Sequence, residues 1–195
     1  MRHGLHARKR RGFTLGEVLV TTAIIVILAA LTIQNVQSRL VTGRGSALAR
    51  ELASLNAGLQ AFRTNVGTYP LYLDYLSAMP ASLAETYCST LSTQVYFTTG
   101  TGSQTANWRG PYITRVIASG TNYTTADNNT IVDKLTHTSG STILGITVNT
   151  VDSTVAAVVE ELVDGPVQTG SYSAGNFTYT PSSKVASYRL SVPSC

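Results

Sequence analysis

The sequence of 195 residues has few of the side chains with which proteins usually carry out chemistry. It contains three histidines and two cysteines, and charged residues make up 12% of the chain. His3 and His6 lie near the N-terminus, and we predict that His137 lies in a loop rich in threonine and serine. Neither a zinc cluster nor a Ser-His-Asp triad can be assembled from them. We therefore expect a protein that is not an enzyme and that needs no cofactor.

Positive charge is scarce outside one short segment. Five of the 14 basic residues lie before Gly12, namely Arg2, Arg8, Lys9, Arg10 and Arg11. Beyond Gly12 the chain holds nine basic and ten acidic side chains. No basic stripe with interleaved aromatic residues is present, so no specific nucleic-acid site is evident. A basic cluster before an apolar segment is typical of a cytoplasmic end.

An apolar segment follows this basic cluster. The run from Val18 to Ile33 is uncharged, and with Phe13, Thr14 and Leu15 it reaches about 20 residues, the length of a membrane-spanning helix. We predict a membrane span at about 13–34. A secretory signal cut after Ala29-Ala30 and a plain membrane anchor are the alternatives. Neither explains Glu17, because an acid in such a segment costs about 2.5–3.5 kcal/mol at its centre and less near its end.

The stretch Gly12-Phe13-Thr14-Leu15-Gly16-Glu17 resembles the class III signal of type IV pilins and of the pseudopilins of type II secretion. The resemblance implies that residues 1–12 are a leader, which prepilin peptidase removes by cutting after Gly12. Phe13 then becomes an N-methylated N-terminus, and the apolar segment is retained. Glu17 would neutralise the ammonium of Phe13 on a neighbouring subunit, which favours correct register during assembly.

The same resemblance implies partners, location and function. The partners would be prepilin peptidase, other pilins or pseudopilins in a homo- or hetero-filament, and an inner-membrane assembly platform. The chain would cross the bacterial inner membrane once, with its C-terminal domain in the periplasm or outside the cell. We interpret it as a pilin-like subunit of an envelope-spanning filament, either a pseudopilin of a type II secretion or competence system or a minor pilin. A major type IV pilin for adhesion, twitching or DNA uptake is one alternative, and an exported enzyme or binding protein with a conventional signal or anchor is another.

Two features depart from the family pattern. Gly16 stands where relatives more often carry a large apolar residue, which weakens the helix by up to about 1 kcal/mol relative to alanine. The proline often found further along the helix is absent, with Gln34 at about that point. Gly43 and Gly45 lie beyond the apolar segment and would allow a bend.

A helical pattern continues beyond the apolar segment. Leucine and phenylalanine recur at steps of four and three, at Leu48, Leu52, Leu55, Leu59 and Phe62. This stripe predicts packing against the protein's own sheet. We therefore predict one N-terminal helix over 13–64, with a membrane-spanning half and an amphipathic half, followed by a globular α/β head over 65–195.

The head contains signals for short helices and strands. Short helices are predicted at Leu71–Met79 and Ser82–Tyr87, and a longer one from Val151 to Leu162 that Gly165-Pro166 ends. Strands are predicted at Thr93–Thr98, Tyr112–Ala118 and Ile143–Val148, with a closing hairpin of Asn176–Thr180 and Val185–Val192. Asp152 and Asp164 flank the longer helix, in positions suited to N-capping and to a C-terminal turn. The predicted architecture is an α+β pilin-type fold, a long helix on a small antiparallel sheet.

Two short motifs favour one subfamily. Asn65–Pro70 (NVGTYP) and Trp108–Ile113 (WRGPYI) are similar to segments of the major pseudopilin of type II secretion. Gly/Pro turn chemistry alone is the alternative explanation for them. The later Asp-Pro-Trp-Gly-Asn-Pro-Tyr-like stretch of that subfamily is not present in this chain.

Cys88 and Cys195 are the two cysteines. A disulfide between them would close a loop of about 106 residues and stabilise the fold by roughly 4–5 kcal/mol in the chain-entropy model. Pilins often tie their C-terminal region in this way, and two free or intermolecular thiols are the alternative.

An oxygen-rich loop contains Asp127, Asn128, Asn129 and Asp133. Such a loop could bind calcium, as some pseudopilins do. Aspartate and asparagine are far more often turn residues, so we expect no metal site there.

Overall fold

A computed structural model describes residues 12–79, 107–118, 120–137, 142–166 and 175–192. The chain divides into two compact units, Met1–Leu40 and Val41–Cys195. The predicted helix at Ser82–Tyr87, the predicted strand at Thr93–Thr98 and both cysteines lie outside the described residues.

Helix α1 covers Leu15–Val66, a single helix of 52 residues. It passes through Gly43 and Gly45 without interruption, so the glycines do not break it. It ends at Gly67, which has φ of 92° and donates its N–H to the carbonyl oxygen of Arg63 at 2.8 Å. The prediction of one long helix is confirmed, and each end lies two residues later than expected.

The predicted apolar stripe forms one side of the core in the second unit. Leu52, Leu59 and Phe62 are fully buried, and Leu48 and Leu55 are 3% exposed. They belong to one hydrophobic cluster with side chains of the sheet such as Ile146 and Phe177. Packing against the protein's own sheet is therefore what buries this stripe.

The sheet in the described part of the chain has six antiparallel strands. They are β1 (Tyr123–Thr124), β2 (Thr130–Ile131), β3 (Thr136–His137), β4 (Ile143–Asn149), β5 (Phe177–Thr180) and β6 (Val185–Ser191). The strand order is β1-β2-β4-β6-β5, and β3 also pairs with β4. The longest pairing joins β4 and β6, from Ile143 opposite Ser191 to Val148 opposite Ala186. The predicted strand at Ile143–Val148, the closing hairpin and the α+β class are confirmed.

The first short helix of the head is smaller than predicted. Helix α2 covers only Asp74–Ser77, within the predicted Leu71–Met79. The residues before it are held in extended pairing, because Leu73 donates its N–H to the carbonyl of Asp133 at 2.9 Å.

The strand predicted at Tyr112–Ala118 is wrong. Its backbone bonds go to the α2 segment and not to a ladder: Tyr112 donates its N–H to the carbonyl of Leu76 at 2.7 Å, and Ile117 donates to the hydroxyl of Ser77 at 3.1 Å. Ile113 and Ile117 are buried, so the β-branched residues that suggested a strand serve the core.

Helix α3 covers Ser153–Asp164, so the predicted helix is confirmed, with each end two residues later than expected. Val155, Ala156 and Val159 are buried, whereas Leu162 is 57% exposed and is not part of the core. Asp152 occupies the N-cap position but makes no capping hydrogen bond, and its carboxylate lies 3.7 Å from the ammonium of Lys184. The predicted N-cap bond is therefore wrong, because this side chain pairs with a lysine.

Candidate functional site

The described chain begins at the segment that carries the predicted processing site. Gly12, Phe13 and Thr14 have no regular secondary structure, and all three are exposed. Phe13 is 81% exposed. The Gly12–Phe13 peptide bond therefore lies in irregular backbone just ahead of α1, in a form that a second protein can reach.

Thr14 defines the start of α1. Its hydroxyl oxygen accepts the N–H of Glu17 at 3.3 Å, and its carbonyl oxygen accepts the N–H groups of Glu17 and Val18 at 3.1 and 3.2 Å. Thr14 is thus an N-cap residue, which satisfies a backbone donor that the first helical turn leaves unpaired. The sequence reasoning missed this role, although a threonine three residues before a glutamate is the capping-box pattern.

Glu17 lies in the first turn of α1, and its side chain is exposed. A carboxylate there is favoured by the helix dipole, an effect of about 0.3–1 kcal/mol at an exposed site. Within the described residues no hydrogen bond or ion pair engages this carboxylate. The helix dipole therefore favours an acidic residue at position 17, and the charge of Glu17 is still available to a partner.

The residues after Glu17 in the first unit present apolar side chains to the surroundings. Ile24, Ile25, Val26, Ile27 and Leu28 are each more than half exposed. A continuous apolar surface of this length on one helix needs a covering of lipid or protein. No helix within the described residues is long and apolar enough to cross a membrane. The predicted span over 13–34 stays a prediction.

The oxygen-rich loop does not gather its carboxylates at one point. Asp127 lies 3.7 Å from the guanidinium of Arg44, and Asp133 accepts the backbone N–H of Asp74 at 2.9 Å. Asn129 is buried and closes a turn. Its carbonyl oxygen accepts the N–H of Thr125, and its own N–H donates to the Thr125 hydroxyl. No cluster of three or more metal-binding side chains occurs in the described ranges. His137, predicted to lie in a loop, is in β3 opposite Leu144.

A polar cleft runs beside the second half of α1. Cavities of about 290 and 250 Å³ share Glu51 and Arg115, and a third of about 440 Å³ adjoins them at Asp127. Arg115 and Glu51 lie 3.3 Å apart, and Arg115 lies over the ring of Tyr123 at 4.8 Å. Burial, and then the charge of Glu51, raise the pKa of the Tyr123 hydroxyl, which donates to that carboxylate at 3.3 Å. The contacts among Glu51, Arg115 and Tyr123 thus connect α1 to the loops of the head.

The two turn motifs take part in packing. In NVGTYP the hydroxyl of Tyr69 donates to Gln60 at 3.0 Å, and the guanidinium of Arg63 lies over the Tyr69 ring. In WRGPYI the ring of Tyr112 makes edge contacts with Trp108 and Phe62, each at 5.6 Å. Both motifs therefore pack against the C-terminal part of α1.

Comparison with known families bears on the N-terminal segment. Residues 7–33 match the family described as the prokaryotic N-terminal methylation motif. This motif is the class III prepilin signal of type IV pilins and pseudopilins, so the resemblance of Gly12–Glu17 is confirmed. The motif supports a pilin-like subunit in the broad sense, and it implies processing by a prepilin peptidase and assembly with other pilins. No curated protein and no solved structure matches the chain.

Proposed function

We propose that this chain is a structural, non-enzymatic subunit of an envelope-spanning filament, as a pseudopilin of a type II secretion or competence system or as a minor pilin. The observation that carries the proposal is the prepilin signal at residues 7–33, with Glu17 five residues after the expected cut. The irregular, exposed backbone at Gly12 and Phe13 suits cleavage there. The motifs NVGTYP and WRGPYI favour the pseudopilin subfamily.

The proposal includes a membrane-bound stage. After cleavage, residues 13–34 hold the subunit in the inner membrane, with the head of residues 65–195 on the far side. During assembly the same apolar surface moves from lipid to the core of a filament, where exposed side chains such as Ile25 and Val26 find protein partners. Glu17 then offsets the buried ammonium of Phe13 on the next subunit, which fixes the register of the two chains.

Intact-mass measurement of membrane-extracted protein tests the processing step. The expected mass is that of a chain starting at N-methylated Phe13. A chain starting after Ala30 would show a conventional signal peptide and would refute the proposal. As a control, replacing Gly12 by a bulky residue should leave the full precursor in the membrane, because the peptidase must accommodate a small residue there. Normal maturation of that variant would contradict a class III signal.

The neighbouring genes discriminate between filament types. A secretin and an assembly ATPase encoded beside secretion genes would support a pseudopilin, whereas pilus genes would support a pilin. Co-purification of the mature chain with the other pilins of the same system should confirm the assignment.

A further inference from the structure

A cavity of about 440 Å³, here called the α3 cavity, lies at the start of α3. It is lined by one residue of α1, by the turn between β1 and β2 and by the start of α3, namely Arg44, residues 126–129, Thr150, Asp152 and Val155. Asn128 and Thr150 have left-handed backbones, with φ of 65° and 64°. The hydroxyl of Thr150 donates to the carbonyl oxygen of Asn128 at 3.0 Å, which joins the two loops that line the cavity.

The first turn of α3 offers hydrogen-bond donors that the described residues leave unused. The first helical bond runs from the N–H of Ala156 to the carbonyl oxygen of Asp152 at 2.8 Å. The N–H groups of Ser153, Thr154 and Val155 precede it, and no acceptor among the described residues engages them. The side chain of Asp152 makes no capping bond to them. A helix of 12 residues attracts anions to this end, because the free N–H groups and the helix dipole both favour negative charge.

A buried amide on the same cavity points independently to a ligand. Asn129 is 4% exposed and lines the α3 cavity. Its backbone N–H and carbonyl oxygen are both engaged by Thr125, whereas its side-chain amide has no hydrogen-bond partner in the part of the chain that the structure describes. Buried side-chain amides are nearly always paired, because an unpaired one loses its hydrogen bonds to water without replacement. A group bound in the cavity would supply the acceptor that the Asn129 amide lacks.

The charges around the α3 cavity favour a ligand with a single negative charge. Nε of Arg44 lies 3.7 Å from the carboxylate of Asp127, and its terminal nitrogens Nη1 and Nη2 contact no acid among the described residues. Two such nitrogens bind a carboxylate in a bidentate way. Asp127 and Asp152 also line the cavity, each paired with one cation, Arg44 and Lys184 respectively. Their charges repel a dianionic phosphate more strongly than a carboxylate.

We propose that the α3 cavity is a carboxylate-binding site, and that in a filament a second copy of the chain supplies the carboxylate through Glu161. The carboxylate accepts hydrogen bonds from the first turn of α3, from the Asn129 amide and from Arg44. Glu161 is exposed, and its side chain takes part in no ion pair or hydrogen bond with the described residues.

Glu161 cannot fill the cavity of its own chain. It lies eight residues beyond Ser153, about 12 Å further along α3. The contact therefore joins the later part of α3 in one copy to the start of α3 in the next. Such a head-to-tail contact repeats from subunit to subunit and builds an open filament. The assignment to a second copy rests on the proposed function, whereas the carboxylate site itself does not.

Titration of the full-length protein in detergent with sodium acetate, followed by amide NMR, tests the site. Acetate should shift the backbone amides of Ser153 and Thr154 and the side-chain amide of Asn129 in a saturable way, and sodium chloride at equal ionic strength should not. Arg44→Gln should weaken the affinity for acetate about tenfold, because hydrogen bonds to a charged group are lost. Arg50→Gln is the matched control, since Arg50 is also exposed on α1 but does not line the cavity, and it should leave the affinity unchanged. Absence of a saturable shift, or tighter binding of phosphate than of acetate, would overturn the proposal.

Mutual capture of two differently tagged copies from the same membranes tests the source of the carboxylate. Glu161→Gln in both copies should lower the capture about fivefold, as should Arg44→Gln, and Arg50→Gln should not. Combining Glu161→Gln with Arg44→Gln should lower it no further, because both remove the same contact. Capture of the Glu161→Gln copies at the wild-type level, with acetate binding intact, would overturn the second copy as the source. That result would leave the proposed function standing, because processing after Gly12 tests the proposed function separately.

Discussion

At the residue scale, Glu17 has two separable roles. It follows Thr14 in the capping-box spacing, which supports the start of α1, and its charge is available to an ammonium on another chain. The resemblance to the prepilin signal implies the second role, which explains an acid beside an apolar run. The first became visible only with the hydrogen bond from the Glu17 N–H to the Thr14 hydroxyl.

Replacement of Glu17 by valine and by glutamine tests the role of its charge. Glutamine keeps the length and polarity of the side chain without the charge, whereas valine removes both, and the backbone N–H of residue 17 can donate to the Thr14 hydroxyl in either variant. We expect processing after Gly12 to survive in both variants and incorporation into filaments to fail in both, because an unpaired buried charge typically costs about 3–5 kcal/mol. Membrane fractionation followed by pull-down of partner pilins measures this. Assembly of Glu17→Gln at the wild-type level would show that the charge is dispensable.

Gly43 and Gly45 lie two residues apart on α1 but have different surroundings. A Cβ atom on Gly43 would have open space around it. A Cβ on Gly45 would lie 2.5 Å from Cγ1 of Val158 on α3. Gly45 therefore has a role besides the predicted bend, because its missing side chain allows α1 and α3 to approach closely.

Alanine at each position should change stability in opposite directions. We expect Gly43→Ala to raise the free energy of unfolding by up to about 1 kcal/mol through helix propensity. Gly45→Ala should lower it by about 1–2 kcal/mol, because overpacking exceeds that gain. Chemical denaturation in detergent measures both. Adding Val158→Ala should reduce the penalty at Gly45, and an equal stabilisation at the two positions would contradict the proposed contact.

At the scale of elements, the connection between α3 and β5 depends on one carboxylate. Asp164, at the end of α3, accepts the backbone N–H groups of Asn176 and Phe177, each at 2.8 Å. Gly175 has φ of 107°, and a Cβ there would lie 2.5 Å from Oδ2 of Asp164. The absence of a side chain at Gly175 thus allows the chain to pass close to the Asp164 carboxylate just before β5 begins.

Removal of this carboxylate should loosen β5. We expect Asp164→Ala to lower the free energy of unfolding by about 1–2 kcal/mol, since two hydrogen bonds to a charged group at a partly exposed site are lost. Hydrogen exchange should accelerate first in Phe177–Thr180. Asp152→Ala is the control, because its carboxylate makes an exposed ion pair with Lys184, and it should change stability by less than about 1 kcal/mol. Equal effects of the two substitutions would contradict this role.

Periodicity was sufficient to predict the long elements but not the short ones. The leucine stripe of α1 and the valines of α3 repeat often enough for one structure to be favoured. Strands β1, β2 and β3 have two residues each, too few for any alternation to be recognised. The segment 112–118 has strand-like composition, but its hydrogen bonds go to α2, and no local pattern specifies such a distant partner.

At the scale of the whole molecule, the site was predictable only where its residues are adjacent in sequence. Gly12, Phe13 and Glu17 belong to one continuous motif, so the resemblance of that motif to the prepilin signal was enough to imply their shared role. Asp74 and Asp133 are 59 residues apart, and Asp133 alone suggested only a turn or a weak calcium ligand. Folding brings the two together, since Asp133 accepts the backbone N–H of Asp74 at 2.9 Å.

The disulfide between Cys88 and Cys195 remains a prediction about the whole head. Mass mapping without reductant should recover the two cysteine peptides linked within one chain. Reduction should then lower the Tm, because a closed loop of about 106 residues contributes roughly 4–5 kcal/mol in the chain-entropy model. Recovery of two free thiols, or of linked dimers, from protein purified without reductant would contradict it.

The position of β6 in the sheet has a consequence for the timing of folding. β6 lies between β4 and β5, yet it follows both of them in the chain. In a chain that emerges N-terminus first, β4 keeps one edge open until α3 and β5 have passed. The pairing of β6 with β4 and β5 therefore forms last. Until then Leu144, Ile146 and Phe177 cannot be fully buried. A head of this topology becomes rigid only after β6 has emerged. Until then its unpaired strand edges are open to pairing with other chains.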